Sequence, residues 1–458
     1  MKTTHGVENK KVLIIGLARS GQSAVKALFS RGAKVWINDM KSEDELQEML
    51  EPISGMYEGL ILGGSPENLD GFDMMVLSPG VPLDKPFVIQ AKEAGIEVIG
   101  ELELAYRLTD ARFIGITGTN GKTTTTALTG EIFKIANAEH FVVGNIGIPV
   151  IGRVDQATPK TTMVTEVSSF QLETISRFKT DVSAVLNLTP DHLNRHKTME
   201  NYVDAKCRIF ENHSKDDVLV LNYDNLPTRE LASRTKGRVV YFSRCEELES
   251  GVFVKDGKVV IKDQTASEVL EVIKLKDIFI PGNHNIENAL AATAMAYYSG
   301  IEIEHIAKAL KTFTGVAHRI EWLGDVNDVV FYNDSKGTNP DASIVAVKAM
   351  ERPTVLIAGG MDKGSEFESF VQSFGSKIKH LVVFGETAEI IKNTAVKEGY
   401  DAVSIVSDLN EAVQIAFDLS VSGDAVLLSP ACASWDMYPS FEHRGDHFRE
   451  CFENLRRR

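Results

Sequence analysis

Short apolar runs alternate with amphipathic stretches along almost the whole chain, and this alternation limits the fold more than any other feature. Runs such as Val12–Ile15, Met74–Leu77, Met163–Glu166, Thr354–Ala358 and Ala425–Leu428 are too short for helices and carry no polar face. They read as strands buried on both sides, with the intervening 3.6-period stretches as covering helices. The class is therefore α/β, built on parallel sheets. The first segment sets strands at Lys11–Gly16, Lys34–Asn38, Met74–Leu77 and Glu97–Ile99, with helices over Ser20–Arg31 and Glu101–Leu108. A second begins with a strand at Arg112–Ile116 and a long helix after Gly121, with strands near Met163–Glu166 and Val182–Leu186 and a helix near Asn201–Glu211. It continues into a hairpin at Val252–Ile261 turning on Lys255-Asp256-Gly257-Lys258, then helices over Asn283–Tyr298 and His305–Phe313. A third restarts at Val329–Tyr332 and adds strands at Thr354–Ala358, His380–Phe384 and Ala425–Leu428.

Length agrees, since 458 residues at about 150 per domain give three. The expected boundaries are 1–109, 110–315 and 316–458. Lys and Arg number 49 against 64 Asp and Glu, a net charge of −15 that argues against nucleic acid or a polybasic membrane contact. Cys207, Cys245, Cys432 and Cys451 are scattered without a CxxC pair and read as free thiols of a reducing compartment. Val12–Ala18 superficially resembles a signal core, but Arg19 follows at once and the strand-to-helix pattern continues. No run of 18 apolar residues occurs. A cytoplasmic location is expected.

Two glycine turns follow strands. Gly16-Leu-Ala-Arg-Ser-Gly21, with Asp39 about 20 residues on, is close to a dinucleotide fingerprint. Ala18 replaces the middle glycine that would let backbone approach a pyrophosphate, so the turn alone is weak support for a dehydrogenase. Amides at the start of the next helix still suit a phosphate, and Asp39 suits a ribose or base. Ser78-Pro79-Gly80 ends another strand and is placed to line the same crevice. The second turn is stronger. Gly118-Thr119-Asn120-Gly121-Lys122-Thr123-Thr124 opens a helix after the strand Phe113–Thr117. Small residues let amides point at phosphates, Lys122 suits the β/γ-phosphates, and the Thr123 hydroxyl suits Mg²⁺. The strict spacing would put a glycine at Ile116, yet it stands at Gly115, so this is a variant phosphate loop. Glu166 and Asp191-His192 follow strands that end near the loop in a parallel sheet, where ligands gather.

Gly115-Ile-Thr-Gly-Thr-Asn-Gly-Lys-Thr123, Glu166-Val-Ser-Ser169, Asn187-Leu-Thr-Pro-Asp-His192 and His318-Arg319 occur in the order found in Mur ligases, which this chain resembles over essentially its whole length. The C-terminal blocks Ser429-Pro-Ala-Cys-Ala-Ser-Trp-Asp436 and Phe441-Glu-His-Arg-Gly445 point to the D-glutamate-adding branch. The resemblance implies a Rossmann-like first domain, a central phosphate-loop ATPase-type domain and a Rossmann-like third. It implies a monomer acting on UDP-N-acetylmuramoyl-L-alanine, D-glutamate and ATP, with two Mg²⁺ ions. Ser20, Asp39, Ser78, Pro79, Gly80, Asn145 and Ser168 match UDP-substrate positions, making the first turn a UDP site. Thr123, Glu166, His192 and Lys206 match metal positions, Lys206 as a carbamate; without the resemblance it would be a solvated lysine. Gly118 to Thr124, Asn283, Arg319, Asp334 and Lys336 match the ATP site, and Thr338, Lys363, Ser434 and Phe441 the amino-acid site. Lys122, His192, Lys206 and Arg319 carry the implied catalytic roles. Gly337 and Trp435 depart from the family, where Ala and Phe or Leu are usual.

Overall fold

The structure, a computed structural model, describes residues 6–145, 147–263, 268–361 and 364–457. These residues form three sheets. The first orders its strands Gly59–Leu62, Lys34–Asp39, Lys11–Ile15, Met74–Leu77, Glu97–Gly100, all parallel. The strand order reverses between Lys11–Ile15 and Met74–Leu77, which leaves a crevice beyond their C-terminal ends.

The second sheet has nine strands. Third from one edge, Arg112–Thr117 lies between Val182–Val185 and Thr162–Glu166, parallel to both. His140–Gly144 closes that edge. On the other side Val218–Asn222, Arg238–Ser243 and Gly251–Lys255 continue the parallel order. Two antiparallel strands, Lys258–Lys262 and Leu270–Lys274, finish it. The Asp256-Gly257 turn has φ of 48° and 69°, the left-handed pair a two-residue hairpin requires. In the third sheet, Val329–Asn333, Ala425–Leu428, Thr354–Gly359, Ile378–Phe384 and Val403–Ile405 are parallel neighbours. An antiparallel strand, Glu321–Val326, precedes them, so the segment restarts one strand earlier than the apolar pattern implied. That strand mixes polar and apolar residues around a bulge between Trp322 and Gly324 instead of running apolar, and its turn uses Asn327 and Asp328 at φ 52° and 61°.

The chain packs as two compact units, one running to Phe279 and resuming over Asn283–Phe313, the other made of Ile280–Gly282 and the chain from Thr314 on. Within the first unit the first two sheets share one apolar core that joins Val12, Leu28 and Val76 to Phe113, Phe178 and Leu219. Glu103 reinforces this junction. Its fully buried carboxylate accepts backbone N–H bonds from Ser176, Arg177 and Phe178 at 2.8–3.0 Å. Four cysteines are free thiols, as their scatter implied. Among the described residues no helix is long and apolar enough to cross a membrane.

His213 shows the cost of polar burial here. Its Nε2 lies 3.0 Å from the Thr180 hydroxyl and 3.3 Å from that of Ser183, while Nδ1 is buried without a partner. Burial, more than the opposing pull of Asp217, lowers its pKa from 6.5 to about 4. The neutral ring thus favours the native state, and that contribution is complete above pH 6.5. As pH falls from 6.5 toward 4 the unfolded chain takes a proton that the native chain refuses, and stability drops. Between pH 6.5 and 5 this one group should remove about 2 kcal/mol. Denaturant unfolding of the wild type and His213→Gln checks it: the variant's stability should fall by that much less over the same interval.

Candidate active site

The strand Arg112–Thr117 delivers the phosphate loop, and its register sets the site. Ile116 is opposite Glu166 on one neighbour, and Thr117 is opposite Val185 on the other. Gly118 (φ 151°) passes so close to the next loop that a Cβ would lie 3.0 Å from the Leu186 side chain. Gly121 (φ 82°) begins the helix Lys122–Ile135, and a Cβ there would lie 2.3 Å from the Asn288 carbonyl oxygen. Gly115 serves differently. It lies within the strand, where a Cβ would meet Thr180 at 2.7 Å, so its smallness permits packing and not phosphate access.

The loop's shape is held from outside. The Thr119 N–H donates to the Asn187 carbonyl (2.9 Å), and the Asn120 N–H donates to the Asn187 side-chain oxygen (2.8 Å). The Asn187 amide returns a bond to the Asn120 carbonyl at 3.1 Å. The Thr119 hydroxyl lies 3.0 Å from that of Tyr202. Asn187 lies inside a motif, yet the sequence alone assigns it no role, because its partners come from a loop 67 residues away. Asn288 carries no motif signal either; it meets the Thr125 hydroxyl at 3.3 Å from the helix Asn283–Tyr297. Asn283 itself is exposed at that helix's first residue, and Thr124 is half-buried beyond the loop. Lys122 folds back onto its own loop, its ammonium donating to the carbonyls of Gly118 (3.0 Å) and Thr119 (2.8 Å).

Behind the loop, the buried Thr123 hydroxyl donates to Glu166 Oε2 at 2.9 Å, and Asn145 donates to Glu166 Oε1 at 2.9 Å. A hydroxyl and a carboxylate joined in this way are hard oxygen donors of the kind Mg²⁺ takes. Lys206 is 2 % exposed and donates to the Gly118 carbonyl at 2.8 Å. Burial first, and the neighbouring Lys122 second, lower its pKa to about 7. The shift favours the neutral amine, the form that can add CO₂. His192 lies in the loop after Val182–Val185. It adopts φ 52° at the start of a four-residue helix, half-exposed, with Nε2 3.5 Å from Asp191 and its ring 4.9 Å from Phe170. Among the described residues no three His, Cys, Asp or Glu side chains form a ready metal cluster. The Thr123–Glu166 pair is the preformed oxygen-donor part of a metal site.

The first sheet's crevice is also built. Ser78 lies beside Gly16, where a Cβ would come within 3.0 Å of it. Ser20, Pro79 and Asn145 line one cavity of about 300 Å³, together with Arg19, Glu101 and Gln171. Gly80 follows, exposed. Asp39 spends its oxygens locally, accepting from the Leu17 N–H at 2.8 Å and the Lys41 N–H at 3.1 Å. Ser168 caps the helix Ser169–Leu172 by accepting from the Gln171 N–H.

In the second unit, the turn after Val329–Asn333 gathers the remaining residues. Asp334 is buried, accepting from the Ser429 hydroxyl (2.7 Å) and the Ile320 N–H (3.2 Å). Burial raises its pKa to about 7 against the pull of Ser429 and Arg319. Arg319 keeps a buried Nε without a hydrogen-bond partner, in a turn where His318 and Ile320 have φ 62° and 44°. The Lys336 ammonium sits 5.6 Å from the Phe441 ring centroid, and the half-buried Thr338 N–H donates to the Lys336 carbonyl. Gly337 has a local reason: a Cβ there would lie 2.6 Å from Asp334 Oδ2 and 2.9 Å from the Ser343 and Ser429 hydroxyls. Ser434 is buried, whereas Trp435 is 63 % exposed. Lys363 lies outside the described residues.

Arg444, which the sequence singled out only as part of a motif, organises this region. It is 1 % exposed and donates to the carbonyls of Ser335, Cys432 and Ala433 and to the Ser335 hydroxyl. One guanidinium therefore joins the Lys336 turn to the Ser434 turn.

A phosphate loop opening a helix, backed by a hydroxyl–carboxylate pair at the ends of adjacent parallel strands, defines a phosphate-loop α/β enzyme. Family profiles described as Mur ligase MurD-like N-terminal domain, Mur ligase middle domain and Mur ligase glutamate ligase domain match residues 10–100, 116–296 and 318–432. The chain belongs to the Mur ligase family. It is 52 % identical over 454 residues to the UDP-N-acetylmuramoylalanine--D-glutamate ligase of Alkaliphilus metalliredigens, covering 98 % of this chain and 99 % of the relative. It is 47 % identical over 452 residues to the protein of that name from Clostridioides difficile, covering 98 % and 100 %. Among solved structures it is similar in fold to UDP-N-acetylmuramate-alanine ligase MurC of Thermotoga maritima, with TM-score 0.59, 19 % identity and coverage of 97 % and 99 %. It is also similar to MurF of Acinetobacter baumannii, with TM-score 0.57, 15 % identity and coverage of 100 % and 93 %.

Lysine cannot reproduce a planar five-hydrogen fork. Arg444→Lys should therefore lose on the order of 2 kcal/mol of stability, read as a lower denaturation midpoint at unchanged slope.

Proposed function

We propose that the protein joins D-glutamate to UDP-N-acetylmuramoyl-L-alanine, driven by ATP, as a cytoplasmic step of peptidoglycan precursor synthesis. Relatives bearing that ligase's name align over 98 % of the chain at about half identity, and this carries the substrate assignment. The Thr123–Glu166 pair behind the phosphate loop carries the ATP assignment. The reading has the chain acting as a monomer, away from the membrane. Its first domain (1–109) takes the UDP moiety, its centre (110–315) ATP and metal, and its last (316–458) the amino acid.

The substrate carboxylate attacks the γ-phosphorus of ATP, ADP leaves, and an acyl phosphate forms. The D-glutamate amine then attacks the carbonyl carbon, phosphate departs, and the amine loses a proton to leave an amide. The first step brings two anions together, so cations must offset their repulsion. Lys122 supplies charge at the β/γ-phosphates, and Arg319, with its open Nε, braces phosphoryl oxygens. Asn283, Asp334 and Lys336 complete the nucleotide contacts. Thr123, Glu166, His192 and Lys206 as a carbamate would hold two Mg²⁺ ions, which would neutralise phosphate charge. Thr338, Lys363, Ser434 and Phe441 receive D-glutamate, and Ser20, Asp39, Ser78, Pro79, Gly80, Asn145 and Ser168 hold the UDP substrate.

Phosphate release with UDP-N-acetylmuramoyl-L-alanine and a panel of amino acids tests the assignment: D-glutamate should stand out, and a different preferred amino acid would refute it. Lys122→Ala should cut ligation at least about 10²-fold while binding the UDP substrate as the wild type does. For Lys206, ¹³C NMR under ¹³CO₂ at neutral pH should show one carbamate resonance that Lys206→Arg lacks and that acid discharges.

A further inference from the structure

Glu101 lines the cavity that also holds Ser20, Pro79 and Asn145, and no proposed chemistry uses it. It opens the helix Glu101–Arg107 just past the first sheet's last strand. The residue is 7 % exposed, and its Oε1 is buried without a hydrogen-bond partner. Ser20, in the first turn of the helix Arg19–Phe29, lines the same cavity within reach of this carboxyl.

Donor counting makes this pairing consequential. A serine hydroxyl has a single proton to donate, and both a carboxylate and a phosphate diester can only accept. With Glu101 ionised, Ser20 must give its proton to the carboxylate, and an anion arriving at the helix start finds an oxygen lone pair. With Glu101 protonated, the carboxyl donates to Ser20 Oγ, and the hydroxyl proton turns to the ligand. We propose that binding of the diphosphate of a UDP-linked substrate in this cavity is coupled to uptake of one proton by Glu101, which thereby positions the Ser20 hydroxyl as a donor to a phosphate oxygen. The inference rests on the UDP-substrate reading above.

The surroundings favour this proton. Burial raises the Glu101 carboxyl to about 7, and the Ser20 bond opposes that only in part. The helix of Glu101 packs on the helices Arg19–Phe29 and Ser169–Leu172, the segment Val150–Arg153, and the strands Met74–Leu77 and Glu97–Gly100. Their charged groups are few. Arg19 lines the cavity, Lys26 is exposed, and Arg153 bonds Gln156. Glu97 and Glu103 are held by Arg107. None of these stands among the groups that shift Glu101. A UDP-sugar diphosphate has no ionisation of its own between pH 7 and 8.5, so a proton taken up in that range belongs to the protein.

Calorimetric titration of UDP-N-acetylmuramoyl-L-alanine into the full chain at pH 8, in two buffers of different ionisation enthalpy, counts the protons. Wild type should take up about 0.9 proton per ligand, and its Kd should rise about fivefold from pH 7 to 8. Glu101→Gln, whose amide donates to Ser20 at any pH, should bind with no uptake and a flat pH profile. Ser20→Ala should bind more weakly at both pH values. A proton-neutral wild-type complex, or uptake that persists in Glu101→Gln, overturns the inference alone. Failure of the wild type to bind this ligand overturns the substrate reading beneath it.

Discussion

The pairing of Arg112–Thr117 with its two parallel neighbours is the constraint on which the site depends. It places Ile116 against Glu166 and Thr117 against Val185, so the phosphate loop leaves the sheet beside a carboxylate and beneath a second loop. A one-residue slip would turn every side chain on the strand to the other face. The Thr123–Glu166 bond and the Asn187 clamp on Thr119 and Asn120 are therefore consequences of register, made by residues distant in sequence.

Around that centre the protein places charge where water is scarce. Lys206, Glu101, Asp334 and Arg444 are all nearly inaccessible, and burial is the leading cause of each one's shifted protonation. Such groups are expensive in a folded interior and tend to be kept for chemistry or for positioning. Arg444 illustrates positioning, since its four bonds, to three carbonyls and a hydroxyl, tie two turns together. Lys206 is buried as deeply, its ammonium donating to the Gly118 carbonyl of the phosphate loop. An acidic protein of net charge −15 thus handles anionic substrates through local arrangement, and its overall charge says nothing of the reaction.

Much of the architecture was legible in advance. Strands such as Met74–Leu77 and Ala425–Leu428 begin and end where their apolar runs do, because a strand buried on both faces has no polar position to blur it. The Asp256-Gly257 hairpin was legible because few residues accept two successive left-handed conformations. Glu321–Val326 was not, because it is an edge strand of mixed polarity broken by a bulge. The bonds by which Asp39 accepts the Leu17 and Lys41 amides were not legible, because no spacing rule reveals them.

The sequence by itself determined the α/β class, the phosphate loop with Lys122 and Thr123, and the family, since each depends on residues close together along the chain. Tertiary structure alone decided which distant groups meet: Asn187 with the loop, Arg444 with two turns, Glu101 with Ser20. The physical reason is burial. Whether a carboxyl or an amine is solvated, paired or stranded depends on what packs over it, and that is settled only when separate segments come together.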